Sequence, residues 1–433
     1  MHGVLNISER QADGTSGMPI GAPADVVAEL SAMASSPTGV EWIEPSSVGA
    51  HHLAEWQSLA DQASDANVFA QPWMVRAGLN HCREADGATI AFVRDGTGRL
   101  IGVAPLGLSR GYGRVPLSIL SGWSHPNSFL TSMVIAEGRE AAFWLTLLPA
   151  LNAAPLSGPM VCLEGIADDS GAWHGLTEAC RQLGLPLTVE GTVTRAMLAT
   201  KMQPDAYWEE SVRSKKRKEL RRQWARLNEQ GSLNTDQLSA HGPAAISAWT
   251  DEFLTLEASG WKGTNGSALA SNADTLGFFR EAMTSAHRAG QVEMTALRLD
   301  GRAIAMLITL FSGKAGFSFK TAFDEDYARF SPGVLLQRES LAILSQRSLD
   351  WIDSCAAQDH PMIDSLWRER RTVLTVSLPL PGTSNRILYS LAGAAKRAWH
   401  LIKDWRRPAH APSPRPDTRS GEPCDGPTQE DQP

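Results

Sequence analysis

At 433 residues, with 42% hydrophobic and 20% charged residues, the chain has globular composition and enough length for two cores. A formal net charge of −7 excludes a general nucleic-acid binder, DNA included, because phosphate neutralisation needs a basic domain or face. The five cysteines, Cys82, Cys162, Cys180, Cys355 and Cys424, have no CxxC spacing, so reduced thiols and no structural metal are expected.

Met1 to Pro23 has neither a basic n-region nor an apolar h-region, and no run reaches the roughly 18 apolar residues of a spanning helix. The sequence therefore reads as cytoplasmic. Residues 1–40 are rich in Gly, Ala, Ser and Pro, and residues 408–433 hardly contain an apolar side chain. Neither segment repays its ordering entropy by burial, so both are expected to be disordered.

In chain order, Thr89 to Arg94, the turn Asp95-Gly-Thr-Gly98 and Arg99 to Leu108 read as strand, turn, strand. Asp205 to Gln230 reads as one uninterrupted helix ended by Gly231, opening a second domain. The hairpin then recurs as Val292 to Leu299, Asp300-Gly301 and Arg302 to Phe311, followed by a strand at Ala315 to Ala322. At Ser331-Pro-Gly333 a cap residue and a Pro at the first helical position open a helix. Strands follow at Leu349 to Asp353 and Thr372 to Leu380.

Two such hairpins point to a duplicated α/β fold with mixed sheets: an N-terminal domain at 41–204 and a C-terminal domain at 205–384. The helix N-terminus at Ser331 offers unpaired amides and a favourable dipole to an anionic ligand.

The segment 211–231, with its basic run, Glu257-Ala-Ser-Gly-Trp-Lys-Gly263 and Phe323-Asp-Glu-Asp-Tyr-Ala-Arg-Phe-Ser-Pro-Gly333 together resemble the CelD-like and FemAB-like branch of the GNAT acyltransferases. Phe69-Ala-Gln-Pro-Trp73 and Gly102-Val-Ala-Pro-Leu106 agree more loosely. The resemblance implies two tandem GNAT-like acyl-CoA N-acyltransferase domains, with the C-terminal half organising the site. It implies an acyl-CoA, acetyl-CoA included, as co-substrate, and an amine or hydroxyl acceptor such as a sugar, polysaccharide or cell-envelope precursor. In FemAB relatives the donor is an aminoacyl-tRNA instead. The family's pyrophosphate loop, Gln or Arg before Gly-x-Gly or Gly-x-Ala, is absent ahead of Ser331.

For the donor, Ser331 and Gly333 permit close backbone approach, and Arg217 and Arg221 lie in a basic run that either solvates a helix or attracts acidic phosphates. On the acceptor side, Trp261 and Lys262 follow Gly260 in an expected loop, where a Trp face suits a sugar or an adenine. Asp324 belongs to the segment before the helix. Trp367 and Arg370 sit in Trp-Arg-Glu-Arg-Arg371, which either binds phosphate or solvates a short helix.

His360 is the general-base candidate on pKa grounds, with Asp353 to orient it or a substrate amine; a surface His and a strand-end Asp are the plainer reading. Cys355 reads as a small buried thiol rather than an acyl carrier. No Ser-His-Asp order and no HExxH spacing occurs.

Residues 385–407 form a basic amphipathic helix in which Ile387, Leu388, Leu391, Trp399, Ile402 and Trp405 fall near helical spacing. Docking of its apolar face on the second domain is the expectation. Peripheral contact with the inner face of an anionic membrane is the alternative. The remaining functional alternative is a non-catalytic carbohydrate or envelope-assembly protein on the same fold.

Overall fold

The computed structural model describes residues 39–82 and 87–405, with side chains described as far as Trp399. The expected disordered segments therefore lie outside the described residues, apart from Gly39 and Val40.

Thirteen strands form one mixed sheet: β1 (Val40–Ile43), β2 (Thr89–Arg94), β3 (Leu100–Tyr112), β4 (Val115–Gly122), β5 (Val134–Ile135), β6 (Met160–Ala167), β7 (Thr188–Leu198), β8 (Leu233–Gln237), β9 (Val292–Leu299), β10 (Arg302–Ser312), β11 (Ala315–Phe323), β12 (Trp351–Asp353) and β13 (Glu369–Pro379). Turn chemistry sets the hairpins. Asp95 accepts from the amides of Thr97 and Arg99 between β2 and β3, and Asp300 and Gly301 take positive φ between β9 and β10, as a two-residue turn with right-handed twist requires.

The spatial order is β1-β2-β3-β4-β6-β13-β7-β12-β11-β10-β9-β8, with β5 paired to β3. Only β4 with β6 and β11 with β12 run parallel; every other neighbouring pair is antiparallel. Each half thus repeats one plan, antiparallel strands leading to a single parallel pair. The closing strands are exchanged. β7, which ends the first half, pairs with β12 of the second, and β13 is inserted between β6 and β7.

Helices cover both faces, which is why the central strands are apolar on both sides. In the second half Met294, Met306 and Ile308 face Phe253, Phe278 and Phe279 of the helices Ala245–Ser259 and Ala273–Arg288. The alternate residues Leu297, Leu299 and Leu307 face Leu220, Leu335 and Leu336. In the first half Ala91, Val93 and Ala104 pack with Phe143 and Trp144, while Ile90, Phe92 and Val103 pack with Trp56 and Val75. Phe69, Met74 and Leu130 of the first half belong to the same core as Phe317 and Phe319, so the two halves share a hydrophobic interior.

The expected single helix over Asp205 to Gln230 is two, Pro204–Ser211 and Ser214–Asn228. Val212 and Arg213 between them are extended, because the β-branched Val212 is drawn into a core with Tyr207 and Leu341. Arg217 folds back over the break, donating to the carbonyls of Glu209 and Val212 and pairing with the Glu209 carboxylate at 2.7 Å.

Because β13 joins both halves, the protein should unfold as one unit. Leu378→Ala, which truncates a fully buried β13 side chain, is expected to cost about 2–5 kcal/mol. Tryptophan fluorescence and far-UV circular dichroism should follow the same urea transition in both forms; two separated transitions would show that the halves fold independently.

Candidate functional site

β11 and β12 are in register only from Ala315 with Trp351 to Phe317 with Asp353, after which they part. Beyond the parting point β12 ends, and β11 continues for six residues. β11 also carries a bulge: Ile308 of β10 faces Lys320 and Thr309 faces Ser318, so Phe319 has no opposite residue in β10. Bulges of this kind free one peptide unit from the ladder and re-aim the next side chain. The re-aimed side chain is Lys320.

Lys320 is a cation in an otherwise apolar setting. Its ammonium lies 5.4 Å from the Phe319 ring and 5.8 Å from the Phe129 ring, within cation–π range. No carboxylate among the described residues forms an ion pair with it. Burial, and then the nearby charge of Lys262, push its pKa down to about 8.

At the parting point Asp353 is fully buried and shared between two guanidinium groups. Arg195 of β7 approaches its carboxylate with Nε and Nη2, each at 2.7 Å, and Arg371 of β13 approaches at 3.3 Å. The Cys355 amide donates to the same carboxylate at 2.9 Å. Burial first, and Asp353 second, push the Cys355 thiol well above its ordinary range, so it is a protonated thiol and a poor nucleophile. Glu257, also buried, is taken by Lys262 at 2.7 Å and by the Leu269 amide. Arg371 also lies 3.9 Å from the Asp169 carboxylate, so each arginine and Lys262 has an acidic partner, and Lys320 is the cation of this group without one.

The loop after β4 closes the other side. His125 is buried with its ring 4.5 Å from Phe278, and burial, then the charge of Lys320, lower its pKa to about 4. Its Nδ1 accepts from the Asn127 amide, which leaves the proton of the neutral ring on Nε2. That Nε2 has no partner, and neither do the buried hydroxyls of Ser128, Thr131 and Ser132. Four such atoms within eight residues are more than a protein interior usually leaves without a protein partner, and the hydroxyl of Ser128 is the one at a cavity wall. The same loop, with Glu164, Arg195 and Thr375, lines a cavity of about 260 Å³ whose wall includes Phe129, the ring beside Lys320.

Of the residues singled out in the sequence, Trp261 and Lys262 stand beside Thr321, Ala322 and Phe323 at the end of β11. Trp261 starts a short helix, Trp261–Thr264, rather than lying in a loop, and its side chain is 57% exposed. Asp324 pairs with Arg302 at 2.6 Å and accepts from the Asp326 amide, so it caps the turn that follows β11. Asp353 does not contact His360; its carboxylate is filled by the two arginines and the Cys355 amide. His360 lies beyond β12 with Nδ1 buried and unpaired.

Ser331 adopts a left-handed conformation at the helix start, and Gly333 is packed against Thr321 and Phe323. Arg217 and Arg221 line a separate groove of about 500 Å³, with Trp208, Trp224, Arg338 and Glu339, that neither Ser331 nor Gly333 enters. Two expectations are corrected. Trp367 is 2% exposed in a core with Ile363 and Leu366, and Glu369 to Arg371 are in β13 rather than a helix. Arg370 donates to the carbonyls of Trp367 and Glu369.

Sequence reasoning passed over Lys320, His125 and Arg195. Lys320 had a readable signal, a single Lys inside the apolar run Ala315 to Phe323. His125 and Arg195 had none, since only the strand order brings them near β11.

Residues 214–360, about a third of the chain, match the model of the acetyltransferase (GNAT) domain. None of the curated proteins matches by sequence. Among solved structures, FemX superposes with a TM-score of 0.49 at 11% identity, over 81% of this chain and 99% of its own. A conserved protein of unknown function from Bacteroides thetaiotaomicron gives 0.47 at 11%, over 76% and 97%. A tandem GNAT protein from the clavulanic acid biosynthesis pathway gives 0.39 at 16%, over 78% and 98%.

The setting of Lys320 has a thermodynamic signature. Its folded pKa is below the ordinary lysine value, so the cost of burying the ammonium is full below about pH 8 and fades as pH rises towards the unfolded pKa near 10.4. Lys320→Met is therefore expected to stabilise the protein by about 1–3 kcal/mol at pH 7. Urea denaturation at pH 7 and pH 10 should show that advantage shrinking at the higher pH.

Proposed function

We propose that this chain is a GNAT-type acyltransferase that moves an acyl group from an acyl-CoA, acetyl-CoA being the simplest, to an amine or hydroxyl of a sugar, polysaccharide or cell-envelope precursor. The observation that carries the reading is the desolvated, unpaired Lys320 beside the bulge where β11 leaves β12.

With a pKa of about 8, Lys320 is neutral in an appreciable fraction of molecules at neutral pH and serves as the base. It takes the proton of the acceptor amine or hydroxyl as that atom attacks the thioester carbonyl. The tetrahedral intermediate then collapses, the carbon–sulfur bond breaks, and the CoA thiolate leaves and is protonated. The peptide unit freed at Phe319 is the candidate donor to the oxyanion.

Acceptor recognition is assigned to both rims. The exposed Trp261 ring and Lys262 suit a sugar face with an anionic substituent, and the unpaired hydroxyl of Ser128 at the cavity wall suits a further polar group. For the donor, Arg221 in the helical groove is the cation left for CoA phosphates, since Arg217 is occupied by Glu209, and Trp224 offers an aromatic face. Ser331 and Gly333 stay as the backbone contact proposed for the pyrophosphate. An acyl-CoA donor places the reaction in the cytoplasm.

A second reading assigns the base to His360, favoured by its buried, unpaired Nδ1. The exposed cations Lys215, Lys218, Arg221 and Arg226 on one helix favour aminoacyl-tRNA as an alternative donor.

Thiol release from acetyl-CoA by the full chain, with amino sugars and nucleotide sugars as acceptors, tests the proposal. The rate should climb with pH through about 8, as Lys320 loses its proton. Lys320→Met should lower kcat by about 10²–10⁴-fold with donor KM little changed. If His360→Ala abolishes turnover and Lys320→Met does not, the base is reassigned. Absence of both thiol release and thermal stabilisation by any acyl-CoA would overturn acyl-CoA use, leaving aminoacyl-tRNA transfer or a non-catalytic role.

A further inference from the structure

The helix Thr383–Trp405 is docked by the wrong face for an ordinary terminal helix. At 3.6 residues per turn, Tyr389, Ala392, Lys396 and Trp399 share one side, which faces the body, and Asn385 and Arg386 in the first turn add hydrogen bonds to Asn152 and to the Leu183 carbonyl. Tyr389 and Ala392 are buried with Tyr112, Ile119 and Met160. Lys396 pairs with Glu190 at 2.6 Å and lies over the Tyr112 ring at 4.5 Å, while Arg114 stacks on Trp399 at 4.2 Å.

The opposite side is apolar and bare. Ile387 is 55% exposed, Leu388 45% and Leu391 62%, and Ala394, Ala395 and Ala398 continue the stripe. The expectation that the apolar face packs on the second domain is therefore corrected. The reason lies in the receiving surface: burial works against ionisation of Glu190, but Lys396, Ser377 and Tyr112 outweigh it and hold the carboxyl below its usual range. An apolar helix face laid over Glu190 would strand that carboxylate. The polar and aromatic side of the helix satisfies it instead.

We infer that this exposed stripe is a docking surface for an anionic lipid bilayer, on which the helix lies in the plane of the headgroups. Charge complementarity selects this occupant. Over residues 383–407, with Lys396 taken by Glu190, the sequence still has Arg386, Arg397, Lys403, Arg406 and Arg407 against the single acid Asp404, in a chain whose formal net charge is −7. The hairpin tip between β3 and β4 adds the exposed Arg114 next to the helix. A basic segment that bears an apolar stripe, on an otherwise acidic molecule, is the pattern of interfacial binding. A second copy of the chain would meet like charge, and one helix-wide stripe offers less than the roughly 800 Å² per partner of a stable dimer. Among the described residues no helix is long and apolar enough to cross a membrane, so the contact is peripheral. The inference does not rest on acyl transfer.

Co-sedimentation of the full chain with vesicles tests it, comparing phosphatidylcholine alone with the same lipid containing about 30 mol% phosphatidylglycerol. The expected result is binding to the anionic vesicles at low salt, weakened by high salt. The double variant Leu388→Glu/Leu391→Glu should lose at least about tenfold in vesicle affinity, with circular dichroism and melting temperature unchanged. Arg397→Gln, a milder change, should shift the salt dependence alone. Absence of binding, or binding unaltered by the double variant, overturns the inference. A concentration-dependent dimer that the double variant dissociates, with no lipid binding, identifies a second copy as the occupant.

Discussion

The carboxylate of Asp353, shared by Arg195 and Arg371, is the contact on which the arrangement of the two halves depends. Its three contributors come from β7, β12 and β13, the three strands adjacent at the point where the halves exchange their closing strands. Such a buried group is costly to desolvate, and its attraction repays that cost only with close geometry and every oxygen engaged. Here both oxygens are engaged, by two guanidiniums and one amide. A slip of one residue in β7 or β13 would turn an arginine to the other face of the sheet and leave Asp353 buried and unpaired. The network therefore fixes the register of the exchanged strands, a task that apolar packing between near-equivalent Val and Leu positions does less sharply.

That network also sets the electrostatics of the candidate site. Asp353 and Asp169 answer the two arginines and Glu257 answers Lys262, which leaves Lys320 as the cation without a carboxylate partner. A protein selected for stability alone would pair Lys320 or replace it with an apolar residue. Keeping an ammonium desolvated at the end of a bulged strand, next to unpaired hydroxyls and an unpaired imidazole, costs folding free energy and makes sense where an anionic or polar ligand completes the set. The GNAT domain over residues 214–360 contains the bulge, Lys320 and Asp353, but Arg195, Phe129 and His125 come from the first half. The tandem arrangement thus contributes to the site itself.

The local parts of the fold were legible in the sequence because local chemistry determines them. Asp95 to Gly98 and Asp300-Gly301 announce their hairpins, and Ser331-Pro332 announces a helix start. The strand exchange was not legible: β13 pairs with β6 across some 200 residues of chain, and nothing in the composition of Thr372 to Leu380 distinguishes that neighbour from β12. The break at Val212 was hidden for a related reason, since the helix propensity of the flanking residues is good and only tertiary burial of a β-branched side chain overrides it. For the candidate site, Trp261 and Lys262 stand out by their glycine-flanked setting, whereas the burial of Trp367 is hidden because an aromatic residue in a run of arginines looks exposed until the core behind it is known.

The C-terminal helix shows the same limit from the other direction. Periodicity reports that a helix has an apolar face, but which face docks depends on the surface that receives it. When that surface presents a buried carboxylate such as Glu190, a lysine and a tyrosine on the helix are better partners than leucine, and the apolar stripe is turned outward. An amphipathic pattern with its cations on the docked side as well as the rim should therefore be read in two steps, first for what the body of the protein needs satisfied and only then for what is left to face solvent or a membrane. In this chain the first step consumes Tyr389, Lys396 and Trp399, and the second leaves Ile387, Leu388 and Leu391 available to a surface that is both apolar and negatively charged.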